Sequence, residues 1–261
     1  MKQNKKVDIY TSLAPLYDIL MEDVDYDSWA DFIDEILQTH HFDPFDVLEL
    51  ACGTGSLSLS LTELECYKVT GTDLSPAMIT VAEQKANQFD LPTRFFPMDF
   101  LNINLNERFD AIISVFDSVN YIHEANDIVK MLNSTFELLK PGGLMVFDFS
   151  TPKNSMEAVD HLNDEEGDSG KFRYFRSSRY DPIEKIHYNE FDIEELDEET
   201  GQVINSYQEI HKQRAYSLDE MLSIVAQTSY HLVAKYDGFD LIPADENSAR
   251  VTIVLRCQTT R

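Results

Sequence analysis

A chain of 261 residues with 43% hydrophobic content has the length of one α/β domain carrying an insertion, and enough apolar side chain for a sizeable core. Its formal charge of −26 would repel phosphate backbones, which disfavours a nucleic-acid partner. No apolar run approaches the ~20 residues of a membrane span, so no membrane partner is expected.

The basic opening Met1-Lys2-Gln3-Asn4-Lys5-Lys6 has the charge of a secretory leader. Asp8, Asp18 and Glu22 interrupt any apolar stretch behind it, so the expected location is cytoplasmic. Cys52, Cys66 and Cys257 have no metal or redox spacing; they read as reduced structural thiols, and no metal is expected. Apolar positions at Leu13, Leu16, Tyr17 and Leu20, then Trp29, Phe32, Ile33, Ile36 and Leu37, repeat at three and four. That spacing predicts helix, broken near Asp23–Asp27.

Val47-Leu48-Glu49-Leu50 is a short strand that runs into Gly53-Thr54-Gly55, and Ser56 to Leu64 reads as a helix. Tyr67 to Thr72 is a second strand. A helix then opens with Ser75 as cap and Pro76 at its first position and runs to about Phe89. Thr93 to Pro97 and Phe109 to Phe116 are further strands. Ala125 to Leu139 is helical and stops at the turn Lys140-Pro141-Gly142-Gly143, before a strand from Leu144 to Phe149.

After Thr151-Pro152 the rhythm changes. Phe172–Arg179, Ile186–Ile193 and Val203–Ala215 favour strand with no long helix between them, and 199–202 reads as a hairpin turn. The first of these interleaves basic and aromatic residues, as a nucleic-acid surface would. The acidic stretch from Asp181 to Glu199 favours an ordinary salt-bridged strand pair instead. Ser217 and Glu220 form a capping-box pattern ahead of a helix over 218–228, and strands near 230–238 and 250–257 follow. Strands alternating with helices imply a parallel sheet with right-handed crossovers. The expected fold class is α/β: a Rossmann-like, seven-stranded, mostly parallel sheet with helices on both faces, plus an antiparallel β insert. The division expected is lid helices in 1–40, a nucleotide-binding domain in 41–152 and 216–261, and the insert in 153–215.

The chemistry concentrates where two strands end. Glycines at 53 and 55 let a ligand approach the backbone, and Asp73, 18 residues past Gly55, closes the next strand. A carboxylate there can accept hydrogen bonds from both hydroxyls of a ribose. A NAD fingerprint would need a third glycine near Ser58, and it is missing. A lone Gly-x-Gly is a weak signal. The ensemble is stronger: Glu49, Gly53, Gly55, Asp73, Met98-Asp99-Phe100, Ser114-Val115-Phe116-Asp117 and Leu139 to Gly143.

In order and spacing this ensemble resembles class I S-adenosylmethionine (SAM)-dependent methyltransferases over residues 45–150, and more weakly over 216–257. Ala51 departs from the glycine common there, but is small. The resemblance implies SAM as cofactor, with Gly53, Gly55 and Ala51 under its methionine part and Glu49 orienting the loop or meeting the amino group through water. It implies Asp73 on the ribose, Leu74 and Met78 against the adenine, Asp99 on the adenine amino group, Phe100 beside the ring and Phe116 near the sulfonium. Met78 and Phe100 read equally well as core. The stretch from Ala14 through Tyr17 and Asp18 to Tyr26 and Trp29 is similar to the lids of glycine N-methyltransferases and aminosugar N,N-dimethyltransferases, where aromatics cover the cofactor. Tyr17 and Trp29 are therefore candidate cofactor contacts, with packing on the sheet as the other reading of Trp29.

The motifs that bind the cofactor do not identify the acceptor. The expectation is methyl transfer to nitrogen or oxygen of a small molecule, with the insert shaping the acceptor pocket and able to pair two subunits into a homodimer. An alcohol or phenol would want a general base. His123 and Tyr121 are the candidates after the fourth strand, His187 and His211 those in the insert, and for each histidine alone the favoured reading is a surface or packing residue. Three other functions compete: a non-catalytic SAM-binding or regulatory protein, an NAD(P)-dependent oxidoreductase, and an RNA methyltransferase, which the net charge disfavours.

Overall fold

The computed structural model describes residues 5–41 and 43–258, so Met1 to Asn4 of the basic opening lie outside the described residues. In chain order the elements are Lys5–Lys6 (β1), Tyr17–Leu20 (α1), Tyr26–His40 (α2), Asp46–Leu50 (β2), Ser56–Glu63 (α3), Lys68–Asp73 (β3), Pro76–Gln88 (α4), Arg94–Pro97 (β4) and Phe109–Ser114 (β5). Then come Ala125–Leu138 (α5), Leu139–Ser150 (β6), Pro152–Leu162 (α6), Glu165–Asp168 (β7), Phe172–Asp181 (β8), Ile186–Leu196 (β9), Val203–Arg214 (β10), Leu218–Val225 (α7), His231–Asp237 (β11) and Arg250–Arg256 (β12).

Seven strands form one sheet in the order β11-β12-β6-β5-β2-β3-β4. The pairs among β2, β3, β4, β5 and β6 are parallel, and β12 pairs antiparallel with both β6 and β11. Both faces are buried, and alternation along each strand assigns its side chains. Leu48, Ile112, Met145, Phe147 and Ile253 pack with Ile128, Met131, Met221 and Ile224 of α5 and α7. Val47, Val69, Ala111, Ile113 and Val146 pack with Trp29, Ile33, Ile36, Leu57 and Leu61 of α2 and α3. Each large apolar side chain buried this way contributes roughly 1.5–3 kcal/mol. The fold class read from the sequence is the one found, an α/β sheet layered by helices.

The helix starts follow their chemistry. Asp25 stands at the break between α1 and α2 and accepts the Ser28 N–H at 3.0 Å. Ser75 caps α4 through the Met78 N–H, and Ser217 and Glu220 exchange both bonds of a capping box at α7.

Three expectations need correction. Residues 152–162, read as the start of a β insert, are helical: Thr151 is extended at the cap and Pro152 occupies the first position, where its missing N–H costs nothing. Lys140 to Gly143, read as a turn, belong to β6, because the Gly142 N–H and the Gly143 carbonyl pair with Cys257. The second sheet has five strands in the order β1-β10-β9-β8-β7, antiparallel except where β1 joins β10 in parallel. The pieces at its edges, β1 and β7, are too short and polar for periodicity to detect.

The two sheets meet at a charge cluster, where Gln213 of β10 donates to Asp117. Arg250 of β12 donates to Asp148 of β6, which is fully buried, and to Asp117 behind β5. Burial outweighs the pull of Arg250 and raises the Asp148 carboxyl above its ordinary value. Arg250→Met would leave that carboxylate without its partner, and the expected loss is about 3–5 kcal/mol. Chemical denaturation of the variant checks it, and a loss below 1 kcal/mol would show that the pair is dispensable.

Candidate functional site

The chain leaves β2 toward β3 and β4 on one side, then crosses to β5 and β6 on the other. Ligands of open α/β sheets sit beyond the strand ends at such a reversal. A cavity of about 670 Å³ lies there, bounded by the ends of β2 and β3, the turn after β5, and a strap over Val7 to Thr11. It is within the usual size of a cofactor pocket.

Two carboxylates form its floor. Asp73 accepts the Gly53 N–H at 2.9 Å on one oxygen and the Ser75 N–H at 2.8 Å on the other. Burial raises the Asp73 carboxyl, and the two backbone bonds oppose that rise. Glu49 is buried and accepts a short hydrogen bond from Ser58 Oγ. Burial pushes its carboxyl up to about 8 against the pull of Ser58, with Asp73 adding to the rise. Ser58, where a dinucleotide fingerprint would have glycine, thus spends its hydroxyl on holding Glu49.

The loop between the carboxylates is left-handed at three positions: Ala51 at φ 56°, Gly53 at 54° and Gly55 at 77°. A Cβ on Gly53 would come 3.8 Å from Tyr17 Cε1, so bare backbone faces the aromatic wall. Tyr17, Tyr26, Tyr121 and Phe116 make up that wall. Phe116 and Asp117 are both left-handed, at 58° and 50°. This turn sets the Phe116 ring 4.3 Å from Trp29 and 5.3 Å from Tyr26.

Of the residues expected at a cofactor, Tyr17, Glu49, Ala51, Gly53, Asp73, Leu74, Met78, Phe100 and Phe116 line this cavity. Three others are placed elsewhere. Gly55 lies beneath it, where a Cβ would strike Phe95 at 2.6 Å and Ala82 at 2.9 Å, so its smallness serves helix packing. Asp99 is turned to its own loop, accepting the Leu101 N–H at 2.8 Å and the Asn102 amide at 2.5 Å. Trp29 packs in the core of α2 and borders a second cavity.

That second cavity, about 600 Å³, is walled by α1, α2, α6 and the second sheet, and it shares Tyr10, Tyr17, Phe116 and Tyr121 with the first. Among the expected bases, Tyr121 stands at this seam. His123 lines neither cavity; its Nε2 meets the Lys212 carbonyl at 2.9 Å. His187 and His211 both border the second cavity. The sequence reading missed Tyr10 and Glu209. Tyr10 lies in a strap with no periodicity, and its aromatic ring near Tyr17 was the only signal. Glu209 accepts the N–H groups of Tyr10, Ser12 and Leu13 from across the chain.

These features accommodate SAM: unobstructed backbone at Gly53, a carboxylate with lone pairs to spare at Asp73, an acid at Glu49 and aromatic faces beside them. The methyltransferase domain family matches residues 47–143. A protein of Bacillus subtilis (strain 168) named as a methyltransferase, YqeM, is 30% identical over 228 residues, 86% of this chain and 87% of its own length. The crystal structure of a SAM-dependent methyltransferase from Clostridium acetobutylicum ATCC 824 has a TM-score of 0.77 at 26% identity, covering 96% of this chain and 99% of that one. SAM-bound CalS10, an amino pentose methyltransferase from Micromonospora echinaspora, shares the fold with a TM-score of 0.68 at 16% identity, over 93% of this chain and 97% of its own.

The left-handed Ala51 generates a prediction. A non-glycine residue there costs roughly 1–2 kcal/mol, and glycine returns about 0.5–1 kcal/mol of that as lost chain entropy. Ala51→Gly should therefore stabilise the protein by about 0.5–1 kcal/mol in thermal melts; a drop in melting temperature would contradict the strain.

Proposed function

This chain belongs to the methyltransferase domain family as a SAM-dependent methyltransferase, and from that premise we propose that it methylates nitrogen or oxygen of a small molecule held in the second cavity. The observation that carries this reading is the adjacency of the two cavities, with a shared wall of Tyr10, Tyr17, Phe116 and Tyr121. A volume of about 600 Å³ suits a metabolite. Among the described residues no helix is long and apolar enough to cross a membrane.

When bound, SAM supplies an activated methyl group on a sulfonium. The work left to the protein is alignment and exclusion of water. In this reading Asp73 accepts the ribose hydroxyls with lone pairs left free by Gly53 and Ser75, and Glu49 faces the amino group. Tyr17, Tyr26 and Phe116 offer ring faces to the sulfonium, whose charge they attract. The strap over 7–11 and α1 exclude water. Asp18 of α1 holds this cover, accepting from Thr54 at 2.6 Å and from Lys85 at 3.0 Å. The second sheet gives the acceptor its polar surroundings. Its Arg176 is already committed to Glu165 at 2.9 Å and to Asn189 at 3.1 Å.

The test is transfer of labelled methyl from SAM to a panel of amines, phenols, carboxylic acids and RNA. Incorporation into a small amine or phenol is expected; incorporation into RNA alone would overturn the reading. Glu49 adds a pH signature. With its carboxyl near 8 in the free protein, it is mostly protonated at neutral pH, and only the ionised form attracts an ammonium. SAM affinity should therefore rise as pH climbs from 6.5 to 8, by roughly tenfold. In Glu49→Gln the rise should vanish. A flat profile in the unmodified protein would remove Glu49 from the amino group.

A further inference from the structure

A chain of hydrogen bonds crosses the seam between the two cavities. Tyr10 Oη lies 2.6 Å from Tyr121 Oη, which lies 2.9 Å from His211 Nδ1. On the other side of that ring, His211 Nε2 lies 3.3 Å from Glu209 Oε2. The four residues come from three distant parts of the chain: Tyr10 from the strap, Tyr121 from the turn after β5, and Glu209 and His211 from β10. Tyr10, Tyr121 and His211 border the second cavity, whereas Glu209 is fully buried behind them.

The direction of this chain follows from its inner end. Glu209 accepts from Ser12 N and Tyr10 N at 2.6 Å, from Ser12 Oγ at 2.7 Å and from Leu13 N at 3.0 Å. Burial alone would raise its carboxyl, but the bonds from His211 and Ser12 prevail and hold it below the usual range. A carboxylate only accepts, so His211 Nε2 must carry the proton. Nδ1 is then the lone pair, the Tyr121 hydroxyl donates to it, and Tyr10 donates to Tyr121. The outermost member, Tyr10 Oη, keeps free lone pairs where the cavities meet. Burial drives both phenols well above their ordinary range, so they pass protons as hydroxyls and do not ionise.

We propose that Tyr10, Tyr121, His211 and Glu209 form a proton relay that deprotonates the acceptor, and that this acceptor is an amine arriving as its ammonium. This rests on the small-molecule reading above. The relay takes one proton from the ammonium: Tyr10 gains it and passes its own to Tyr121, which passes its own to His211 Nδ1. His211 becomes an imidazolium against Glu209. The neutral amine then uses its freed electron pair to form the N–C bond to the methyl carbon while the C–S bond breaks, its pair remaining on sulfur. Solvent later removes the proton from His211.

The charges around the cavity favour a cationic visitor. Both arginines on its wall are paired, Arg176 with Glu165 and Arg250 with Asp117 and Asp148. Asp23 and Asp25 border the same space, whereas the charge of Asp117 is spent on Arg250. Around the relay itself, His211 meets Glu209 from its own strand, the Tyr10 ring at 4.6 Å from the strap, Tyr121 at 6.1 Å and the Phe191 ring of β9 at 5.3 Å. Asp117 and Arg176 act on Tyr121 in opposite directions.

Two measurements test this on the full chain. The first is 15N NMR of histidine-labelled protein saturated with S-adenosylhomocysteine at pH 7.5. His211 should be neutral with its proton on Nε2, and Tyr121→Phe should shift Nδ1. A proton on Nδ1 overturns the relay. The second compares His211→Asn and Tyr10→Phe with the unmodified protein, using glucosamine and benzylamine as amines and catechol as a phenol. Roughly 10²-fold loss of kcat at pH 7 is expected, shrinking as pH rises toward the amine's own pKa, while SAM affinity stays within twofold. Tyr10→Phe keeps the ring and its packing, so it reads the hydroxyl even if His211→Asn folds poorly. A loss that does not change with pH, or no loss, overturns the relay. Methylation of catechol and of neither amine overturns the amine assignment. If no small molecule is methylated although SAM binds, the underlying reading fails, and the NMR result decides the relay on its own.

Discussion

The site depends on one carboxylate that bridges two strand ends. Asp73 closes β3 and reaches across to the Gly53 N–H, in the loop leaving β2, while its other oxygen takes the Ser75 N–H at the head of α4. These bonds fix the left-handed loop, the spacing of the two strand tips and the start of the next helix together. Burial makes the carboxyl reluctant to ionise, and the two backbone donors counter that cost. Glu49 sits on the neighbouring strand with Ser58 as its partner, and burial raises it to about 8. Burial thus raises both acids, opposed at Asp73 by Gly53 and Ser75 and at Glu49 by Ser58.

The second sheet turns this nucleotide pocket into a two-chambered site. Its β10 supplies Glu209, whose carboxylate gathers the backbone N–H groups of Tyr10 in the strap and of Ser12 and Leu13 just after it. Those bonds bring Tyr10 to the seam. The covering α1 is fastened separately, through Asp18 to Thr54 and Lys85. The cover over the adenosyl space is therefore held by one element of the insert and by one salt bridge on the main domain. Only the first of these, β10, also lines the second cavity, through His211 and Gln213.

Local rules made most of the fold legible. The short apolar run over 47–50, the Ser75-Pro76 start and the Ser217–Glu220 capping box each carry their own signal, and each element starts within a residue of its expected place, although α7 ends at Val225 rather than near 228. The α6 helix was missed because its interior is polar, although Thr151-Pro152 was a usable start signal. The early beginning of β6 depends on pairing with Cys257, more than a hundred residues away, which no window can see. In the site, the strand-end residues were readable because backbone geometry constrains their type. Trp29, Gly55 and Asp99 lie outside the cavity lining although the motifs include them, because a motif gives the loop while packing decides what its members face. Glu209 and His211 were harder still. Their partners are contributed by the strap and by the turn after β5, so their meaning exists only in the folded chain.

In the function proposed above, the Gly53–Asp73 junction clasps the adenosyl group of SAM. A crystal structure of the protein with S-adenosylhomocysteine tests this. Both ribose hydroxyls should lie within hydrogen-bond distance of the Asp73 carboxylate, with the amino-acid end over Gly53 and toward Glu49. An adenosyl group bound elsewhere, or electron density showing this cavity empty at saturating ligand, would contradict it.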